Sequence, residues 1–306
     1  MSDIAVLIPC YNEEKTISQV IDDCKNYLPN ANIYVYDNNS NDKTVEYAIK
    51  QGAIVRYENR QGKGNVVRRM FADIDADIYV MIDGDATYDV SSIPNLIKIL
   101  EDENLDMVVG VRQEIEQSCY RVGHRSGNKV LTKIVEIFLN YKLKDMLSGL
   151  RVFSKRYVKT FPAESKGFEI ETELTIYALS RRLPIKEVET KYFSRPEGSF
   201  SKLSTYKDGG RILKTIALLI KEERPLLFFS LVAFVIFVVG LSISVPIFIE
   251  FKQTGLVPRF PTAILASGLM VCSFVSFFIG IVLDTVVKAK KEISRINYLK
   301  YKNNKK

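Results

Sequence analysis

Two long segments near the C-terminus contain no charged residue, and they constrain the fold more than any other feature of the chain. Residues 226–249 and 260–283 each run without Asp, Glu, Lys or Arg. A helix rises about 1.5 Å per residue, so either segment can cross the roughly 30 Å hydrocarbon core of a bilayer. Because only the short stretch 250–259 separates them, we predict a transmembrane hairpin, residues 226–287, whose two ends lie on one side of a membrane.

Basic residues flank this hairpin. The 306-residue chain has a formal net charge of +7, and the tail 288–306 holds eight Lys and Arg residues with a single acid. Positive charge beside membrane spans is typical of the cytoplasmic side. We therefore predict that residues 1–225, the tail and both termini lie in the cytoplasm at the plasma membrane, with the tail near anionic lipid. The rest of the chain has balanced charge, so nucleic acid is not an expected partner.

The segment 205–225 precedes the first span. Residues 211–222 place Ile212, Ile216 and Leu219 on one helical face and basic residues elsewhere. This pattern predicts a helix in the membrane interface. An ordinary amphipathic surface helix is the alternative.

Histidine and cysteine are scarce. The four cysteines have no metal-ligand spacing, and His124 is the single histidine. A His-rich zinc site is therefore excluded, and the cysteines are interpreted as free thiols in a reducing compartment.

Residues 1–204 alternate between short apolar runs and helical periodicity. The apolar runs predict strands at 4–9, 33–36, 53–57, 78–82 and 106–111. The periodic segments predict helices at 13–27, 43–51, 65–73 and 92–101, and, in the less regular stretch 112–204, at 127–141 and 169–182. This alternation predicts an α/β domain with a mostly parallel sheet, in which ligands bind beyond the carboxyl ends of the strands.

Polar clusters follow three of these strands. Asp83 and Asp85 flank Gly84 at the end of a buried strand, and such carboxylates suit Mg²⁺ or Mn²⁺ together with substrate phosphates. A solvated Asp-Gly turn is the alternative. In the cluster IPCYNEE at 8–14, Tyr11 offers a ring for a nucleobase. Asp37 ends the second strand, where it can bind a base or ribose edge or cap a turn.

The clusters occur in a recognisable order. IPCYNEE, YDNNSNDKT, GKGNVVRR and DGDATYD are followed by MLSGLRVF, GFEIETEL and RPEGSFSKLSTYKDGGRIL. Over residues 3–213 this set resembles family 2 glycosyltransferases of the GT-A fold, and more closely the polyprenyl-phosphate glycosyltransferases, which include dolichol-phosphate mannose synthases and bactoprenol glucosyltransferases. The two C-terminal spans resemble the bactoprenol glucosyltransferase layout. The resemblance implies a GT-A domain over residues 1–204.

The resemblance also implies roles for individual residues. Asp83 and Asp85 would hold Mg²⁺ or Mn²⁺ on the donor diphosphate, and Lys63 would approach the donor phosphates unless it is a solvated loop lysine. Thr87 stands where some relatives have a Gln that assists the metal, and water is the alternative ligand at that position. The nucleoside of a nucleotide-sugar would contact Pro9, Tyr11, Asn12, Glu13 and Asp37. The acceptor phosphate would be served by Arg112, Arg121, Arg125, Arg195, Ser201 and Lys202.

The implied reaction is the inverting transfer of a sugar, with UDP-glucose favoured as donor, to a polyprenyl (undecaprenyl) phosphate. Its product would be a lipid-phosphate-linked monosaccharide for cell-envelope glycan modification. UDP-N-acetylhexosamine and GDP-mannose are alternative donors, and a non-catalytic nucleotide-sugar-binding anchor that recruits a flippase is an alternative function. A processive polysaccharide synthase is excluded, because its QxxRW motif needs a tryptophan and the chain has none. Relatives with two spans, some of which are tetramers, lead us to expect a homo-oligomer.

Overall fold

The computed structural model describes residues 2–114, 133, 141–196 and 205–301. Contacts divide these residues into two compact units, one formed by 1–216 with 295–306 and the other by 217–294. The predicted helix at 127–141 lies almost wholly outside the described residues.

The first unit is built on a mixed, mostly parallel sheet. Its strands are β1 (Ile4–Cys10), β2 (Asn32–Asp37), β3 (Ile54–Tyr57), β4 (Ile78–Met81), β5 (Met107–Glu114), β6 (Arg151–Ser154) and β7 (Ile185–Tyr192). They lie in the order β3-β2-β1-β4-β6-β5-β7. All neighbours are parallel except β6, which runs antiparallel to both β4 and β5. This confirms the predicted α/β class.

Helices cover both faces of the sheet. They are α1 (Ile17–Tyr27), α2 (Thr44–Lys50), α3 (Lys63–Asp73), α4 (Ile93–Asp102), α5 (Lys155–Thr160) and α6 (Ile170–Ser180). Alternate residues of β1 enter two different cores, because successive side chains of a strand point to opposite faces. Val6 and Ile8 pack with α1 and α4, whereas Ala5 and Leu7 pack with α3 and α6.

Strands β6 and β7 were not among the predicted elements. β6 has only four residues, and it begins with Arg151, which is fully buried. β7 has the sequence IKEVETKY, in which charged residues interrupt the apolar ones. Neither strand therefore contains the apolar run by which the first five were identified.

The second unit contains two long antiparallel helices. Helix α7 (Thr205–Glu223) leads into it, followed by α8 (Pro225–Thr254) and α9 (Phe260–Lys300). Within 217–294, Ser273 Oγ donates to the carbonyl of Ala233 at 2.8 Å, and a Cβ on Gly240 or Gly280 would lie 3.3 or 3.0 Å from the facing helix. Small residues allow apolar helices to approach this closely.

Both α8 and α9 are long and apolar enough to cross a membrane, with mean hydropathies of 2.9 and 2.3 in their most apolar windows. Helix α9 continues through much of the segment predicted as a basic tail. In the first unit, its residue Tyr298 donates from its hydroxyl to Oδ2 of Asp106 at 2.7 Å, while the Arg156 guanidinium lies 4.8 Å from the Tyr298 ring centre. The domain boundaries and the membrane topology stay predictions.

Candidate functional site

The Asp83–Asp85 turn follows β4 directly, beside the end of β1. Gly84 packs so closely on β1 that a Cβ there would lie 2.9 Å from Cys10 Sγ, and its carbonyl accepts a 2.7 Å hydrogen bond from the Thr16 hydroxyl. Ala86 then adopts φ 56°, a left-handed conformation that turns the chain sharply. The turn is thus fixed by its neighbours, with both carboxylates at the carboxyl edge of the sheet.

Asp85 is nearly buried, with a side chain 6% exposed, and both of its oxygens have partners. Oδ1 accepts from the Thr87 hydroxyl at 2.6 Å and from the Thr87 backbone at 3.3 Å. Oδ2 accepts from Nη2 of Arg195 at 2.5 Å. Thr87, which stands where some relatives have a metal-assisting Gln, therefore orients the Asp85 carboxylate.

Asp83 is held by a lysine from the glycine loop. Its Oδ1 lies 2.5 Å from Lys63 Nζ. Its Oδ2 faces the backbone at Gly149, where an added Cβ would lie 2.4 Å away. The Gly149 amide in turn donates to the Tyr88 hydroxyl at 2.7 Å. Only a glycine at 149 leaves room for the Asp83 carboxylate.

Two glycines, Gly62 and Gly64, position Lys63. Any larger residue at either position would force the neighbouring backbone to move. A Cβ on Gly62 would lie 2.2 Å from the Lys166 carbonyl oxygen, and one on Gly64 would lie 2.2 Å from that of Ser165. The lysine side chain is only 9% exposed and Nζ also lies 2.6 Å from Oε1 of Glu171. A solvated loop lysine is therefore the wrong interpretation of this residue.

The charged groups of this cluster affect one another's pKa values. Burial alone would lower the pKa of the Lys63 ammonium, but the nearby Asp83 and Glu171 outweigh it and raise that pKa. Burial raises the pKa of Glu171, Lys63 opposes the shift and Asp83 adds to it. With three carboxylates and two cations, the group Asp83, Asp85, Glu171, Lys63 and Arg195 carries a formal charge of −1, which attracts a cation.

Mg²⁺ or Mn²⁺ fits this donor set. Such ions prefer hard oxygen ligands and take one or two carboxylates plus substrate phosphates and water. Asp83 and Asp85 supply two carboxylates from one turn. Within the described residues, no group of three or more His, Cys, Asp or Glu side chains is arranged to hold a metal. Substrate and water would therefore complete the coordination.

The loops after β1 and β2 are joined to each other, since the two strands are parallel neighbours with Cys10 opposite Asp37. Asn12, at φ 53°, donates its amide to Ser40 Oγ at 2.9 Å and accepts from the Asn41 amide at 2.8 Å. Asp37 is 4% exposed and accepts from the Ser40 amide. The predicted nucleoside residues Pro9, Tyr11, Asn12, Glu13 and Asp37 thus belong to these two adjoining strand ends.

Sequence reasoning missed Asn38, which connects these loops to the glycine loop. It is 3% exposed, and its Nδ2 donates to the carbonyls of Glu58 and Arg60 at 2.7 and 2.9 Å. Its Oδ1 accepts from the Gly62 amide at 2.7 Å. Its place directly after Asp37 in the DNNSND turn was the available signal.

The predicted acceptor residues are only partly described. Arg112 forms a two-point ion pair with Asp145, at 2.6 and 2.7 Å, and stacks 5.6 Å from the Tyr192 ring centre. Arg195 pairs instead with Asp85, beside the predicted metal site. The remaining members, Arg121, Arg125, Ser201 and Lys202, lie outside the described residues.

Arg151 is a second residue that sequence reasoning missed. It is fully buried in β6 and donates to the carbonyls of Ser148, Met146 and Glu171 at 2.9, 2.7 and 3.1 Å. These bonds tie the loop before β6 to the first turn of α6, which carries Glu171. Arg151 is the single charge in MLSGLRVF, and that was the available signal.

Comparison with known proteins gives consistent matches. The sequence profile of Glycosyl transferase family 2 matches residues 5–161, just over half of the chain. Protein RfbJ of Shigella flexneri is 59% identical over 40% of this chain and 96% of its own length. A dolichyl-phosphate hexose transferase of Haloferax volcanii is 28% identical over 72% of this chain and 96% of its own length.

Among solved structures, glucosyl-3-phosphoglycerate synthase from Mycobacterium tuberculosis in complex with Mn²⁺ and UDP-glucose superposes with a TM-score of 0.59. The match covers 72% of this chain and 79% of that one at 24% identity. At this identity the likeness shows a shared fold and nothing about activity.

Proposed function

The chain belongs to glycosyl transferase family 2, and on that premise we propose that it transfers one sugar from a nucleotide-sugar to a polyprenyl phosphate. UDP-glucose is the donor we favour and undecaprenyl phosphate the acceptor. The product is a lipid-phosphate-linked monosaccharide for cell-envelope glycan modification. The observation that carries the proposal is the Asp83–Asp85 turn, with a cation on each carboxylate, in a chain that also contains two helices apolar enough for a membrane.

Two observations support the choice of acceptor: the similarity to a relative that acts on a lipid phosphate, and the two apolar helices of this chain. The Haloferax relative is a dolichyl-phosphate hexose transferase, and a polyprenyl phosphate is a substrate that stays in the membrane. A transferase that uses it gains from an anchor of the kind that α8 and α9 offer. The donor is supported by the solved synthase, which binds UDP-glucose with Mn²⁺.

The donor would bind across the ends of β1, β2 and β4. The adjoining loops with Tyr11, Asn12 and Asp37 hold the nucleoside. Bound at Asp83 and Asp85, Mg²⁺ or Mn²⁺ would supply positive charge to the diphosphate as it departs. Lys63 holds a second, fixed positive charge at the same place, because Gly62, Gly64 and Glu171 leave it little freedom. A positive charge that is already in place where the leaving group becomes negative is an effective form of catalysis.

The transfer itself needs no protein base. The acceptor phosphate is ionised at pH 7, so one of its oxygens attacks the anomeric carbon directly. The new carbon–oxygen bond forms as the bond to the nucleoside diphosphate breaks, and that diphosphate leaves with the electron pair. A single displacement inverts the anomeric centre and turns an α-linked donor into a β-linked product. The site's main task is to align the two substrates.

We further propose that the first unit and both termini are cytoplasmic, where nucleotide-sugars are made. The product then forms on the cytoplasmic leaflet, so its use outside requires a partner of the flippase class. A reporter that is active only in the cytoplasm should work when fused after Lys306. Activity of a periplasm-specific reporter at that position would reverse the topology. Cross-linking in detergent would test the expected homo-oligomer.

The function is tested by release of nucleoside diphosphate from the full-length protein in mixed micelles. With Mn²⁺ present, UDP-glucose, UDP-N-acetylglucosamine and GDP-mannose are each supplied with and without undecaprenyl phosphate. We expect release from one donor, UDP-glucose first, that depends on the lipid phosphate and is lost in Asp85→Asn. Binding of a nucleotide-sugar with no lipid-dependent release from any donor would instead support the non-catalytic anchor.

A further inference from the structure

We propose that Arg195 responds to the metal: it occupies Asp85 while the metal is absent, and a divalent cation at Asp85 releases it to bind the acceptor phosphate. The inference rests on the proposed function through the metal site at Asp83 and Asp85. It adds a competition between a side chain and a metal ion for one carboxylate oxygen.

The competition follows from how the Asp85 oxygens are used. Thr87 takes Oδ1 with two hydrogen bonds, and Arg195 takes Oδ2 at 2.5 Å. The carboxylate is nearly buried, so water gives it little other stabilisation. A cation that binds Oδ2 therefore competes with the guanidinium for that oxygen, and the two positive charges repel each other at such short range. Asp85 is the one carboxylate with which Arg195 forms an ion pair among the described residues.

The lysine on Asp83 is in a different position. Lys63 contacts a second carboxylate, Glu171, so it keeps a partner if a metal draws Asp83 away. Its side chain is 9% exposed, whereas that of Arg195 is 29% exposed. Of the two cations, Lys63 and Arg195, only Arg195 loses its carboxylate partner when the metal binds. It is also the more exposed of the two, so it has room to move.

Arg195 also has a donor group for which the described residues provide no acceptor. Its Nη1 is buried and makes no hydrogen bond to the described residues. A buried donor without an acceptor is costly, and a guanidinium pairs most strongly when both of its nitrogens meet one phosphate or carboxylate group. Asp85 satisfies only Nη2. A phosphate that accepted from Nη1 and Nη2 together would be the better partner.

Charge gives the change its direction. The cluster of Asp83, Asp85, Glu171, Lys63 and Arg195 has a formal charge of −1 without metal and +1 with one divalent ion. Once the ion is bound, Arg195 next to it is repelled, and an anion nearby is attracted. Metal binding at Asp85 therefore prepares Arg195 for the acceptor phosphate. The predicted order is metal with donor first, acceptor second.

The test is Mn²⁺ binding to the full-length protein in neutral detergent, measured without substrates by electron paramagnetic resonance of free Mn²⁺. Arg195→Met removes the competitor, so we expect it to bind Mn²⁺ roughly three- to thirtyfold more tightly than wild type. Lys191→Met is the matched control, because it removes an equal charge from an exposed position of β7, four residues before Arg195 in the chain. It should stay within about twofold of wild type. Asp85→Asn should lose the site.

A second measurement follows the released arginine. Inorganic phosphate should protect wild type against thermal unfolding more strongly when Mn²⁺ and UDP are present than when they are absent. Arg195→Met should show no such gain. Arg195→Gln repeats both measurements if the Met variant fails to fold.

Mn²⁺ affinity that is unchanged or weaker in the Arg195 variants would overturn the inference, and so would equal tightening in Lys191→Met. Tighter binding in Arg195→Met, in a protein that transfers no sugar to any lipid phosphate, would uphold the competition and overturn the proposed function. Absence of Mn²⁺ binding from wild type and variants alike would overturn both.

Discussion

Nζ of Lys63 lies 2.6 Å from Oε1 of Glu171, which joins a glycine loop at the start of α3 to the first turn of α6. The same nitrogen reaches Asp83 at 2.5 Å. The sequence was equally compatible with a solvated loop lysine at position 63. In the structure this lysine is buried between two carboxylates. The predicted metal ligand Asp83 is thereby linked to GFEIETEL, a motif to which the sequence analysis assigned no chemical role.

Loss of one metal carboxylate should stop turnover without unfolding the protein. We expect Asp85→Asn to lower kcat/KM by at least about a hundredfold, because a charged ligand is lost where diphosphate charge develops. EDTA should abolish wild-type activity, and Mn²⁺ or Mg²⁺ should restore it. The check is steady-state kinetics alongside thermal unfolding. Full activity in EDTA, or in the purified mutant, would exclude the metal assignment.

Lys63 and Glu171 should behave as one unit. Removal of Lys63 leaves the buried Glu171 without its cation, and breaking a buried pair in this way costs about 3–5 kcal/mol. Removal of Glu171 should cost less, because Lys63 keeps Asp83 as a partner. We expect Lys63→Met and Glu171→Gln each to destabilise the protein, and the double variant to lose less than the sum, with a coupling energy of about 1–3 kcal/mol. Chemical denaturation of the four proteins gives this cycle. Additive losses would show that the two side chains do not interact in solution.

Gly64 should tolerate no side chain. An added Cβ would lie 2.2 Å from the Ser165 carbonyl oxygen, so Gly64→Ala must push the 165–166 backbone away and displace Lys63. We expect the free energy of unfolding to fall by about 2–4 kcal/mol, which is at or slightly above the usual cost of overpacking a protein core. Gly210→Ala is the control: nothing lies within 4 Å of its Cβ position, and alanine favours a helix. Equal melting temperatures for the two variants would contradict the packing.

Glu171 should make stability depend on pH. Burial raises the pKa of its carboxyl above the ordinary 4.5, against the opposing effect of Lys63. A carboxyl with a raised folded pKa contributes stability while protonated, and that contribution is lost as the pH rises through the folded pKa. Wild type should therefore lose stability relative to Glu171→Gln as the pH rises above 4.5, the ordinary pKa of this carboxyl. Melting temperatures in detergent at several pH values test this, and a relative gain for wild type would have the wrong sign.

The sequence predicted those parts of the fold that a local pattern specifies. Strands β1 to β5 are short apolar runs, and α1 and α4 repeat apolar residues at helical spacing, so each was located to within a few residues. β6 and β7 were missed, because Arg151 opens one and charged residues interrupt the other. Their place in the sheet depends on pairing with strands from distant parts of the chain, which no local sequence pattern shows.

The candidate site divides in the same way. The Asp83–Asp85 turn and the polar ends of β1 and β2 were predicted, because parallel strands bring their carboxyl ends to one edge. The pairing of Arg195 with Asp85, and that of Arg112 with Asp145, were not. Arg195 and Asp85 come from separate loops, and Arg112 of β5 meets Asp145 from the loop before β6. Both contacts depend on the order of strands in the sheet.

The most direct test of the account is isolation of the product. Full-length protein in mixed micelles receives UDP-glucose labelled in the sugar, Mn²⁺ and undecaprenyl phosphate, and the lipid extract is assayed for label. We predict label in the lipid fraction that mild acid releases as free sugar, that requires both lipid and metal, and that is absent with Asp85→Asn. The same assay applies to UDP-N-acetylglucosamine and GDP-mannose. If the protein consumes donor but all of the label stays in water-soluble products for every donor, with or without the lipid, that result would contradict transfer to a polyprenyl phosphate.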